Sequence, residues 1–306
     1  MANAGFLSMK QRLGFIVFCL VLLSLPSLGK AQEKEIELLY FNHGDSVSFR
    51  WGTANGELFR IGAQKGYVVQ RRLKGQQEWS SISGVLRPVS DERFALLESS
   101  QPDAAIVREL IYRNSRNQER KGNKQSSTGG LYLIDGEEAF EDDLLFGMAM
   151  FACDISLDIA KLSALYYVDK PTDKGAVYEY RVLFGDLQNA TQAREVTVDM
   201  RQKSLLPTPE VFEAEFEPAT VLFTWSIEKF EGYYSAYSIE RSLDGTNFKP
   251  VRKRPIVHGY TEEKFKNIAT YKDTLVNRET IHYYRLSGYS PFGIYGPVSS
   301  VVQGRG

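Results

Sequence analysis

Three histidines, two cysteines and one dense acidic run are the parts of this 306-residue chain that could do chemistry. His43, His258 and His282 lie far apart, and none stands at metal-ligand spacing from another histidine or a cysteine. His43 precedes Gly44 and His258 precedes Gly259, which places both in turns, while His282 falls in an alternating, strand-like segment. The acids Glu137, Glu138, Glu141, Asp142 and Asp143 invite two readings. Glycoside hydrolysis needs two carboxylates about 5–10 Å apart across a cleft. Calcium needs oxygen ligands at a fixed loop spacing. Neither spacing is met, and a solvated helix N-terminus, where the macrodipole favours acids, accounts for the run. There is no Gly-x-Ser-x-Gly, no phosphate-cradling glycine loop and no His-Glu-x-x-His. The expectation is therefore no catalytic residue, no metal and no cofactor. An enzyme concealed among the central helices is the minority reading.

Aromatic residues offer a different chemistry. Tyr233, Tyr234, Tyr260, Phe292 and Tyr295 cluster in the C-terminal part, where they could stack on sugar rings. Single exposed aromatics are ordinary, so this expectation is weaker than a packing role. Cys153, beside Phe151 and Ile155, reads as a buried apolar filler rather than a nucleophile.

The elements that must position these residues are mainly strands. Val47, Phe49 and Trp51 alternate with Ser46, Ser48 and Arg50, a period of two with one buried face. Tyr67 to Leu73 is a strand, and residues 62–66 read as a loop. Asp91 to Glu98 and the Ile106, Val107, Leu110, Ile111 series have helical spacing. Arg113 to Gly130 is polar and basic and reads as a mobile loop. After Asp135, a capping-box position with Glu138, the stripe Phe140, Leu144, Met148, Phe151, Ile155, Ile159, Leu162 predicts one long helix, or two broken near Asp154. That stripe should pack onto its own sandwich, with an oligomer seam as the alternative.

A duplication organises the chain. Tyr167-Val168-Asp169 leads to Tyr180-Arg181-Val182, and Tyr271-Lys272-Asp273 leads to Tyr284-Arg285-Leu286, with Asp and Arg twelve apart in both. Arg71 precedes Asp169 by 98 positions, whereas Arg241 precedes Asp273 by 32, so the first copy carries 66 extra residues. They fall where the helical pattern appears. Arg181 and Arg285 should point outward, toward Asp169 and Asp273. Trp51, Tyr180, Trp225 and Tyr284 should fill the cores. A closing strand is expected over residues 298–302.

The N-terminus reads as an export signal over residues 1–31. Lys10 and Arg12 precede an apolar run from Leu13 to Leu25, and Gly29-Lys30-Ala31 suits cleavage before Gln32. The run is short for a membrane span, and the residues before Cys19 do not suit lipidation. Cleavage removes Lys10, Arg12 and Lys30 and takes the formal charge from −1 to −4, a poor balance for nucleic acid. It also leaves Cys153 as the only thiol, so no intrachain disulfide is possible.

The segment Tyr237-Ser238-Ile239-Glu240-Arg241-Ser242-Leu243-Asp244-Gly245-Thr246-Asn247-Phe248, with Tyr271-Lys272-Asp273 and Tyr283-Tyr284-Arg285-Leu286, resembles bacterial fibronectin type III domains. The resemblance covers 208–303 well, and 35–85 and 164–202 moderately. It implies two tandem immunoglobulin-like β-sandwiches, at 35–203 and 208–303, the first interrupted by an α-helical insertion at about 86–163. It also implies a binding, spacing or adhesive role at a bacterial cell envelope or outside the cell, without naming a ligand. No Arg-Gly-Asp stands in the last turn. The partner expected is a protein or a surface glycan, with no nucleic acid and no membrane span after signal cleavage. An accessory carbohydrate-binding component of a secreted glycan-degrading system is the alternative.

Overall fold

The computed structural model describes residues 35–306 except 123–134, 172, 188–192, 210–211 and 259–266, and no side chains at 114–122 or 135–141. The segment expected to be an export signal, residues 1–31, lies outside the described residues. These form two compact units that divide between Ser204 and Leu205.

The first unit runs β1 (Ile36–Asn42), β2 (Val47–Thr53), α1 (Gly56–Lys65), β3 (Tyr67–Leu73) and β4 (Ser80–Ser81). Four helices follow: α2 (Asp91–Glu98), α3 (Ala104–Gly122), α4 (Asp135–Ile155) and α5 (Leu157–Leu162). The chain then returns to strands in β5 (Tyr166–Asp169), β6 (Val177–Phe184) and β7 (Glu195–Asp199). Two antiparallel sheets result, ordered β1-β2-β5 and β4-β3-β6-β7. The second unit has β8 (Phe212–Phe216), β9 (Thr220–Ser226), β10 (Ala236–Ser242), β11 (Lys249–Pro250), β12 (Ile268–Thr274), β13 (His282–Tyr289) and β14 (Val302–Gly304). Its sheets, β8-β9-β12 and β11-β10-β13-β14, repeat the order of the first unit strand for strand. Four antiparallel sheets thus make two sandwiches of the immunoglobulin-like class.

The alternation in the sequence explains both cores. Phe49 meets Tyr180 across the sheets at 4.5 Å, and Phe223 meets Tyr284 at 4.7 Å. Trp51 lies edge-on to Tyr67, as Trp225 does to Tyr237. Trp51, Tyr180, Trp225 and Tyr284 are all buried.

A carboxylate ties the sheets together in each unit. Asp169 Oδ2 accepts from Arg71 Nη1 at 2.7 Å and from the Tyr180 hydroxyl at 2.9 Å. Asp273 Oδ2 accepts from Arg241 Nη1 at 2.9 Å and from the Tyr284 hydroxyl at 3.0 Å. The arginine differs from the one expected. Arg181 donates instead to Gln70 and lies 4.2 Å from the Trp79 ring, and Arg285 donates to Glu240 and lies 4.2 Å from Phe248. Strand alternation is the reason: Arg181 and Arg285 each follow a tyrosine that points inward, so they face away from the aspartate.

Three further expectations are corrected. Residues 62–66 belong to α1 and its end. Asn55 caps it, accepting from the Leu58 N–H at 2.9 Å, and Gly66 closes it at φ +77°, the left-handed region that glycine tolerates. Of the stretch expected to be a loop, Arg113 to Gly130, the part as far as Gly122 is helical, since charged residues extend a helix whose first turns are anchored by packing, and residues 123–130 lie outside the described residues. The closing strand begins at Val302. Ser299 meets Leu286 first, through its hydroxyl and its own N–H, and takes up the bonds that a longer strand would make.

Tyr284→Phe should lower the stability of the second unit by about 1.5–3 kcal/mol, the worth of a hydrogen bond to a charged acceptor. Arg285→Ala should cost less than about 1 kcal/mol. Urea unfolding of both variants checks the order.

Candidate functional site

The three histidines lie in different settings. His43, in the β1–β2 turn, has Nε2 2.9 Å from the Ser48 hydroxyl, and burial lowers its pKa. His282 is fully buried, with Nδ1 2.8 Å from the Thr280 carbonyl oxygen and its ring stacked on Tyr284. His258 is half-buried. Among the described residues, no three of His, Cys, Asp and Glu converge where a metal could be held. Nor is any described helix long and apolar enough to cross a membrane.

Of the acidic run, Glu137, Glu138 and Glu141 have side chains outside the described residues. Asp142 does more than sit in solvent at a helix start. Its two oxygens accept from Arg60 on α1 at 2.9 Å and Arg113 on α3 at 3.1 Å, so one carboxylate joins three helices. Asp143 is exposed.

Arg50 carries no expected role in the sequence. On alternation alone it faces solvent; in the structure every residue of β2 is buried. Its Nη2 donates to Asp154 Oδ1 and to the Cys153 carbonyl oxygen, both at 3.0 Å, and its Nη1 donates to the Leu165 carbonyl oxygen at 2.8 Å. The guanidinium thus sits on the C-terminal turn of α4, where the helix dipole favours a cation. The clue in the sequence was an arginine between Phe49 and Trp51, paired in number with a lone acid at the helix break. Cys153, packed there, is 1% exposed, and burial pushes its thiol up to about 11.

Among the described residues, most of the aromatic cluster is buried or half-buried. Tyr234 is 3% exposed, and its hydroxyl donates to the Pro207 carbonyl. A Cβ at Gly288 would lie 2.2 Å from its ring, so the glycine makes room for it. Phe292 is also buried, Tyr233 is half-buried against the core, and Tyr260 lies outside the described residues. Tyr295 alone of the described members is exposed, its ring 5.0 Å from Tyr289.

The stripe on α4 faces the other way from the expectation. Phe146, Ala149, Met150, Ala152 and Cys153 are buried, whereas Leu144 (53%), Met148 (45%) and Phe151 (42%) are exposed. The helix is apolar on both sides, so periodicity could not choose between them. The first side, where Phe146 and Met150 alternate with the small Ala149, Ala152 and Cys153, takes the core. The second side is left as an apolar row at i, i+4 and i+7. Phe140, Ile155, Ile159 and Leu162 do not extend it uniformly: Ile159 is buried, Ile155 and Leu162 are half-buried, and the Phe140 side chain is not described.

No family model matches the sequence, and no curated protein does. Among solved structures, the chain is similar to the FN1–FN3 domains of chicken CNTN1, with 10% identity over 88% of this chain and 65% of that one, at a TM-score of 0.31. It also overlaps a beta-1,2-glucanase from Parabacteroides distasonis, with 18% identity over 42% of this chain and 17% of that one, at a TM-score of 0.25. The assignment to the sandwich class rests on strand order and core packing.

Cys153 should resist a thiol reagent at about pH 8 in the native state and react at once in denaturant, because both burial and a raised pKa deprive it of thiolate. Native labelling on the time scale of the denatured control would contradict this.

Proposed function

We propose that this chain is an exported, non-catalytic binding or scaffold protein of the bacterial cell envelope or exterior. It is built as two tandem fibronectin type III-like modules, the first carrying α2–α5 as a helical insertion. The observation that carries the reading is the row Leu144, Met148 and Phe151 on α4. Three large apolar side chains on one helix face, outside a core that is closed without them, are what a protein partner buries. Asp143 at one end of the row and Asp158 beyond the other are exposed, and the mature chain is acidic. The partner surface is therefore apolar with a basic rim.

Met148→Asp and Phe151→Asp should each weaken capture of the envelope partner at least tenfold while circular dichroism and melting stay close to wild type. Removing exposed apolar surface should leave the fold intact. Capture that survives both substitutions, or a substrate turned over by the purified chain, would sink the reading.

A second reading keeps a glycan as ligand, and the exposed Tyr295 against Tyr289 favours it. Glycan-array binding lost in Tyr295→Ala would support an accessory carbohydrate-binding role. An array with no signal removes it.

A further inference from the structure

We infer that the outer face of the sheet β11-β10-β13-β14 binds a neutral oligosaccharide, with a pyranose ring laid on Tyr295 and its hydroxyls bonded by Glu240 and Arg285. The inference deepens the carbohydrate reading above and rests on it, naming the face, the hydrogen-bonding pair and the ligand class.

The pleat decides which side chains share this face. Tyr237 and Ile239 of β10 point into the sandwich, as do Tyr284 and Leu286 of β13. Ser238 and Glu240 therefore point outward, and so do Arg285, Ser287 and Tyr289. Register sets Glu240 opposite Arg285 and Ser238 opposite Ser287. Tyr295 comes from the turn before β14 and bridges to Tyr289, the two rings 5.0 Å apart. The Ser290 N–H donates to the Ile294 carbonyl oxygen, and the Gly296 N–H donates to that of Gly288, both at 2.9 Å. The backbone on either side of Tyr295 is thereby fixed.

The polar half of the face is equally ordered. Glu240 Oε2 accepts from Arg285 Nε at 2.6 Å, a bond that leaves Glu240 Oε1 and both Nη groups of Arg285 outside it. Phe248, just before β11, lies 4.2 Å from the guanidinium carbon. Burial, and then the Glu240 carboxylate, raise the pKa of Tyr295, so its hydroxyl stays a neutral donor beside that charge. The ion pair thus has an aromatic ring toward each edge of the sheet. A ring face takes the C–H side of a sugar, while a fixed acceptor and fixed donors take its hydroxyls. The pair cancels its own charge, which suits a neutral polyol and gives an anionic polymer no advantage. The Arg285 and Glu240 side chains are 31% and 24% exposed, open to a ligand yet already held, so binding costs little rotamer freedom.

The duplication supplies the comparison. The same face of the first unit pairs Val68 with Leu183, and Gln70 with Arg181. Val68 and Leu183 are buried. Serines take both places in the second unit, Gln70 becomes Glu240, and Tyr289 stands where the first unit has Gly185. A side chain has no room at Gly185, where a Cβ would lie 2.2 Å from the Lys65 carbonyl oxygen. The fold requires none of these changes, since the first unit keeps the same strand order without them. Together they turn a closed apolar face into an aromatic and polar one.

Titration calorimetry of the whole chain with gluco-, galacto- and mannohexaose, and with hexagalacturonate, tests this. At least one neutral hexaose should bind. Tyr295→Ala and Arg285→Ala should each weaken it at least about tenfold, with circular dichroism unchanged. Arg181→Ala, the equivalent change in the first unit, should leave the affinity as it is. A neutral hexaose held equally well by wild type and both variants, or lost equally in Arg181→Ala, overturns this face while the carbohydrate reading stands. No binding of any hexaose overturns both. Tighter binding of hexagalacturonate than of every neutral hexaose overturns the neutral ligand. Should Arg285→Ala lose its fold, Tyr295→Ala, which removes an exposed side chain, decides alone.

Discussion

A single carboxylate oxygen, shared between an arginine and a tyrosine, holds the two sheets of each unit to one another. Asp169 and Asp273 stand on the three-stranded sheets, and their partners Arg71, Tyr180, Arg241 and Tyr284 stand on the four-stranded ones. A sandwich core of interdigitated side chains is close-packed but not directional. Sheets can slide over such a core by small repacking. A hydrogen-bonded charge cannot slide, because moving it strands a buried donor or acceptor. The device therefore specifies register between the sheets where the hydrophobic cores specify only proximity. It also explains why Tyr180 and Tyr284 are tyrosines and not phenylalanines at fully buried positions: each hydroxyl has a fixed acceptor, and burial with a neighbouring carboxylate raises its pKa, which keeps it a donor.

That interaction was half legible. Equal spacing of Asp and Arg in the two copies revealed a repeated device, and the aromatic alternation placed Trp51, Tyr180, Trp225 and Tyr284 inside. Proximity in sequence points to Arg181 and Arg285, whereas proximity in the fold runs across the two sheets. In a sandwich the neighbours of Asp169 lie on the facing sheet, and only the inward side of each strand is available to it. Arg71 and Arg241 were already marked by the Tyr67–Arg71 and Tyr237–Arg241 correspondence. Four residues apart on a strand, they share the inward side with a core tyrosine. The same accounting assigns Arg181 and Arg285 to the outer face, where each lies on an aromatic ring that follows a hairpin.

The helical layer was legible in place and opaque in orientation. The helices α2 to α5 lie between β4 and β5, within the longer of the two Arg-to-Asp intervals. What the sequence could not convey is that β2 is covered on both sides. An alternating strand implies one wet face, and Ser48 and Arg50 match that rule in composition. Arg50 departs from it because the layer brings its own counter-charge, Asp154, and its own carbonyls. The unit-two equivalent of β2 has Thr224 between Phe223 and Trp225, and Thr224 is half-exposed. The contrast between Arg50 and Thr224 is the mark that the layer leaves on an otherwise repeated strand.

The same layer decides which side of α4 meets solvent. The buried side carries Phe146 and Met150 as well as Ala149, Ala152 and Cys153, so it removes at least as much apolar area as burying Leu144, Met148 and Phe151 would. Polar contacts act in the same direction: Asp154 reaches Arg50, and Asp142 reaches Arg60 and Arg113. Those attachments lie on or beside the buried side, and with the apolar contacts they fix the helix rotation. A rotation that hid the exposed side chains would pull Asp154 from a guanidinium that is 3% exposed and leave a buried charge with one fewer partner. The exposed row is thus held outward by the apolar packing of Phe146 and Met150 and by the polar attachments beneath it, so the residues that present the surface are not the residues that form it.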